Sequence, residues 1–178
     1  MTPEIRKFLH DIIASCLELS GNQVIWQNQG GPQPNNPMVT LFVYSNQGQA
    51  MADAMPIDEQ GISVLKVPTD AVLQVQYFDK KGQFPVDKLE HLVRLLETPN
   101  IVEQCAMAGV AFFDSEDVLD VAALLPNQQQ YEPRASVDLH FRYTEETNAN
   151  VGIIDTVNVE GETDGRELVF SVSAKSNE

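Results

Sequence analysis

From Ala135 to Thr144 the chain alternates without a break, with Ala135, Val137, Leu139, Phe141 and Tyr143 at every second position and Ser136, Asp138, His140, Arg142 and Thr144 between them. Successive side chains of a strand point to opposite faces, so a period of two commits this segment to a strand with one buried and one wet face. A helix would scatter the same apolar residues around its axis. The chain must therefore build a sheet that is covered on one side here. With 178 residues, 43% of them hydrophobic, it has enough material for a core without a metal or a disulfide, and a single domain over 1–178 is expected.

The rest of the chain supplies the cover and further strands. Thr2, Pro3 and Glu4 have the form of an N-cap, an N1 proline and a first-turn acid, and Ile5, Phe8, Leu9, Ile12, Ile13, Cys16 and Leu17 follow at helical spacing, predicting a helix that ends near Gly21. Val24, Ile25 and Trp26 begin an extended segment. Pro32, Pro34 and Pro37 then fix their own φ and bias the residues before them, so 28–38 is an extended arm that cannot be helical. In polyproline geometry its eight residues from Gly30 to Pro37 would reach about 25 Å. The arm delivers a strand at Val39 to Tyr44, apolar enough on both faces for an inner position.

A long loop is expected at 46–61, where Met51, Met55 and Ile57 offer apolar anchors that would order on docking. Strands are expected around Val64 to Val67 and Ala71 to Phe78, followed by a helix carrying Leu89, Leu92, Val93 and Leu96 and a short one from Ile101 to Ala108 ending at Gly109. The stretch "GVAFFDSEDVLDVAALLP" reads as a strand, an acidic turn and a brief helical or irregular piece. Asp164-Gly165 is a turn signal between two apolar runs, so 153–173 is predicted to be an acidic hairpin. The fold class is α+β: a mostly antiparallel sheet flanked by helices, with a C-terminal hairpin. An open sheet leaves backbone donors and acceptors unpaired at its edges, which favours pairing with another chain.

Charge and motifs exclude more than they include. The formal charge is −15, and residues 101 to 178 carry most of it, −11 against −4 for the first hundred. Such a surface repels phosphate, so sequence-specific nucleic-acid binding is not expected. No apolar run approaches the roughly 18 residues of a membrane span. Cys16 and Cys105 read as small core residues, and His10, His91 and His140 fall in no ligand spacing. His140 shares a strand face with Asp138 and Arg142, which fits a cross-strand polar cluster better than a proton-transfer group. Asp114, Glu116, Asp117 and Asp120 do not match a calcium loop. No nucleophile elbow, phosphate loop or dinucleotide fingerprint occurs. Neither an enzyme nor a cofactor is expected.

In order and spacing, "GGPQPNNPMVTLFVY", "VLQVQYFDKKG" with "DKLEHLVRLLETP", "GVAFFDSEDVLDVAALLP", "QYEPRASVDLHFRY" and "NVGIIDTVNVEG" resemble the neck or tail terminator proteins of long-tailed bacteriophages, over residues 4 to 161. The resemblance implies a structural virion protein made in the host cytoplasm. It would form a ring, commonly of six subunits, that terminates the tail and joins it to the head connector. Its partners would be copies of itself, a head-completion or connector protein, and tail tube or sheath proteins, with viral DNA passing through the channel. On that reading Trp26, Pro32, Pro34 and Pro37 are candidate subunit contacts. Glu145, Glu146, Asp155, Glu160, Glu162, Asp164 and Glu167 would be channel-facing or inter-ring acids that repel DNA. The alternative is a binding module outside any virus, holding a peptide or other ligand on an exposed sheet edge.

Overall fold

A computed structural model describes residues 1–48, 53–54, 61–124, 131–150, 156–163 and 166–173. It divides into two compact units, one of residues 1–50 and 67–145, the other of residues 51–66 and 146–178.

The first unit begins with helix α1, Pro3–Cys16, whose N-cap Thr2 accepts a hydrogen bond from the Ile5 amide at 3.4 Å. The helix stops earlier than the sequence led us to expect. Glu18 takes a left-handed conformation with φ of 54°, and the Leu19 amide bonds back to the Ala14 carbonyl at 2.9 Å, so the turn closes on a glutamate while Gly21 opens a 3₁₀ turn, Gly21–Gln23.

Strand β1, Val24–Trp26, runs parallel to β2, Met38–Gly48, and β2 pairs antiparallel with β4, Ile62–Phe78. Beyond β4 come β9, Arg134–Asn150, and β5, Val110–Ser115, which give the order β1-β2-β4-β9-β5. Two strands expected around Val64 to Val67 and Ala71 to Phe78 are thus one. Pro68 does not end it, and the strand runs unbroken from Ile62 to Phe78.

Alternation decides which side of the sheet is buried. Val39, Leu41, Leu73, Val75, Tyr77, Val137, Leu139, Phe141 and Tyr143 share one core with Leu9, Ile12 and Ile13 of α1. Helix α2, Pro85–Leu96, adds Leu89, Leu92 and Leu96 to the same core. Helix α3, Pro99–Met107, ends at Gly109, whose φ of 69° suits a residue without a Cβ, and leads into β5. The opposite sheet face carries Phe42, Gln74, Gln76, Asp138, His140 and Arg142, none of which is buried.

After β5 the chain keeps running along β9. Two-residue strand β6, Leu119–Asp120, pairs with Ser136 and Ala135, and the Glu116 and Val121 amides donate to the Asp138 and Arg134 carbonyls at 2.9 Å each. Strand β7, Ala123–Leu124, pairs antiparallel with β8, Tyr131–Glu132. The brief helical or irregular piece expected here is irregular backbone carrying two two-residue strands, β6 held to β9 and β7 to β8.

In the second unit, β3, Asp53–Ala54, pairs with Lys66 and Leu65 of β4, so of the loop expected at 46–61, residues 46–48 continue β2 and 53–54 are paired. Lys66 forms an ion pair with Glu146 at 2.8 Å. Strands β10, Thr156–Thr163, and β11, Arg166–Ser173, form the C-terminal antiparallel hairpin, with Val157, Val159, Leu168, Phe170 and Val172 at one set of register positions and Glu160, Glu162 and Glu167 at the other. Met51, Met55, Ile57, Asp155, Asp164 and Gly165 lie outside the described residues.

Candidate functional site

Two β-bulges shape the sheet's uncovered side. The β2 to β4 register shifts between Val43 and Ser45, which makes Tyr44 an extra residue, and the β5 to β9 register shifts between Phe112 and Asp114, which does the same for Phe113. A bulge re-aims the side chain at the irregularity. Tyr44 is 49% and Phe113 56% exposed, and both reach over β9. The Tyr44 hydroxyl donates to Asp138 Oδ2 at 2.8 Å, and this bond to a carboxylate is the main reason its pKa is pushed up to about 12. Phe113 lies against His140, 6.0 Å between ring centroids, with the Arg142 guanidinium 5.8 Å from its centre. Arg142 in turn donates two bonds to the Asp70 carboxylate, at 2.6 and 2.8 Å.

His140 stands 3.7 Å from Glu116. The polar cluster read from the strand alternation is therefore present, and it links three strands and the edge segment. It holds no nucleophile paired with a base in the manner of a catalytic triad. Among the described residues no three His, Cys, Asp or Glu side chains converge as a metal site would need, and no helix is long and apolar enough to cross a membrane. Cys16 and Cys105 are buried free thiols, and burial pushes the Cys16 thiol up to about 11.

The edge formed by β5 and the segment after it is unusually apolar for a surface. Phe113, Leu119, Val121, Leu124 and Tyr131 are all exposed along it or its hairpin, interleaved with Asp114, Glu116, Asp117 and Asp120. A shallow groove of about 410 Å³ follows the face beside it, floored by Gln74, Gln76, Ser136 and Asp138 and rimmed by Leu119 and Val121. Two buried atoms at this groove, Arg134 Nε and Asp138 Oδ1, have no hydrogen-bond partner.

At the other edge β1 is only three residues long. It covers β2 from Val39 to Leu41, so among the described residues β2 has no outer neighbour from Phe42 onward. Trp26, half-buried at the end of β1, packs on the core under the Arg6 guanidinium, 6.0 Å from its ring. Together they wall a groove of about 350 Å³ with Gln27, Gln29, Phe42 and Val43.

The arm leaves from this groove. Pro32 is exposed and Pro34 and Pro37 are half-buried. Its far end is tied down: Gln23 Nε2 donates to the Pro37 carbonyl at 2.7 Å and Asn36 Nδ2 to the Asp79 carbonyl at 3.2 Å. Of the candidate contacts, Trp26 thus ends β1 and Pro37 stands just before β2, with Pro32 and Pro34 in the arm between them.

The candidate acids are dispersed. Glu145 is held by the Met1 ammonium and by the Tyr143 hydroxyl, and the ammonium contact is the main reason its carboxyl lies below the usual range. Glu146 is paired with Lys66. Glu160, Glu162 and Glu167 share one set of hairpin positions, with Glu162 directly opposite Glu167. Sequence reasoning missed Tyr44, Phe113, Leu119 and Val121. Nothing in "VAFFDS" marks which phenylalanine faces out, because a bulge resets the alternation.

A family profile for the phage neck terminator protein matches residues 3–166. No curated protein matches the chain in sequence. The profile covers every described helix and all the strands of the large sheet. The chain belongs to the phage neck terminator protein family, and its role is a structural one in the neck of a bacteriophage virion, at the junction of head and tail or at the tail's end.

Proposed function

We propose that copies of this chain close into a ring, six being the number its family resemblance implies, that terminates the tail and joins it to the head connector. The observation that carries this reading is the pair of unlike sheet edges. One is apolar and acidic, the other a groove under Trp26 beside β2 backbone that no described strand pairs. Unlike edges on opposite sides of one sheet favour a head-to-tail contact, and such contacts generate rings when the rotation closes. The Pro-rich arm stiffens the grooved edge, so less entropy is lost on docking than with a flexible loop. The acids of the hairpin face the channel or the next ring, where carboxylates keep passing DNA from adhering.

Imaging of particles assembled without this chain tests the reading. Filled heads separated from tails of uncontrolled length are expected. Tails of normal length that fail to attach would leave joining and remove termination, and intact particles would refute both.

A further inference from the structure

We infer that the junction between two ring subunits seats the acidic, apolar edge of one copy, Leu119 and Val121 with Asp117, in the Arg6 and Trp26 groove of the next. This rests on the ring reading and goes further by assigning both halves of the contact to residues. In the order β1-β2-β4-β9-β5 the two edges lie four strand spacings apart, about 19 Å, so one copy presents both at once without either blocking the other.

The chemistry of the halves is complementary. Leu119 is 58% exposed and Val121 37%, on a segment that projects beyond β9 and is held to it by backbone bonds. Apolar side chains fixed on a rigid strand lose little entropy when a groove covers them. The receiving groove, about 350 Å³, has an indole wall and the side chains of Phe42 and Val43. It lies where β2 runs on past the end of β1, so no strand of the same copy fills it among the described residues.

The charges agree. Arg6 is exposed, and among the described residues no carboxylate pairs with it; its guanidinium rests on Trp26 instead. On the opposite edge Asp117 has no cation within ion-pair distance among the described residues, and Arg94, which shares a surface groove with Glu116 and Asp117, is paired with Glu90 at 3.5 Å. A chain of net charge −15 has few spare cations, so an arginine that no described carboxylate pairs, beside an aromatic groove, is a specific feature. Placing Asp117 against Arg6 removes both uncompensated charges and fixes the direction of the contact.

The test is charge reversal with rescue, in particles that receive the full-length chain only as the variant. Arg6→Glu and Asp117→Arg are both exposed positions, and circular dichroism should show wild-type folding for each. Either change alone should lower the amount of chain retained on purified tails by about tenfold, and the two together should restore it to within about twofold of wild type. Single variants retained at the wild-type level would overturn the assignment. So would a double variant no better than the singles, because the acidic edge would then dock a different virion protein. If wild-type tails carry no ring at all, the ring reading itself fails, which is a separate result.

Discussion

Phe141 shows what a single position contributes. It is fully buried on the core face of β9, stacked at 5.7 Å on Tyr143 and at 5.9 Å from Phe112. Truncating such a side chain removes transfer free energy and leaves a cavity, so Phe141→Ala should lower unfolding stability by about 3–5 kcal/mol in urea melts. Three residues away, on the other face, Asp138 governs Tyr44. A phenol whose pKa rises from 10 to about 12 on folding contributes stability below pH 10, and loses that contribution as pH climbs through about 12. Tyr77 titrates near the same pH, but there burial is the larger cause. In an alkaline absorbance titration Asp138→Asn should bring one tyrosine back toward pH 10 and leave the Tyr77 step near 12. If both steps stay high, the Tyr44 hydrogen bond is not the cause. The alternation of β9 was legible residue by residue, including the face that carries this cluster. Tyr44 and Phe113 were not, since each sits at a bulge where the period of two slips.

Elements end where local chemistry allows, and α1 ends at a costly place. Glu18 occupies the left-handed position that glycine usually fills, at φ of 54°. An L-residue pays roughly 1 kcal/mol there, so Glu18→Gly should raise stability by about 0.5–1 kcal/mol, read as a higher midpoint in a thermal melt. In the C-terminal hairpin the register sets Glu162 opposite Glu167. Like charges directly across a strand pair are unfavourable, so Glu167→Lys should protect hairpin amides from hydrogen exchange by an amount corresponding to about 0.2–1 kcal/mol. Unchanged protection would mean that the hairpin's stability is set by its apolar positions alone. The helices and the hairpin were read from periodicity and turn signals. Strand β4 was read as two strands, whereas it runs unbroken through Pro68 from Ile62 to Phe78.

The first unit is a sheet with helices on one face and two edges that differ in shape and charge. Replacing Pro32 and Pro34 by glycine loosens the arm while keeping the Asn36 and Pro37 bonds that tie it down, so the variant should fold yet leave about tenfold fewer copies on purified tails, as read by imaging. Ring assembly at the wild-type level would take the arm out of the contact. The sequence by itself determined the α+β class, the buried and wet faces of β9, the helices and the absence of a recognisable catalytic motif, because these follow from local periodicity and from which side chains are present. Only the tertiary structure decided that the segment after β5 runs along β9, held by the two-residue strand β6 and two further backbone bonds. It also set Tyr44 and Phe113 outward and left Arg6 over Trp26 facing an open groove. Those outcomes depend on which strands neighbour one another and where a register slips, and pairing between residues far apart in the chain leaves no trace in a local pattern.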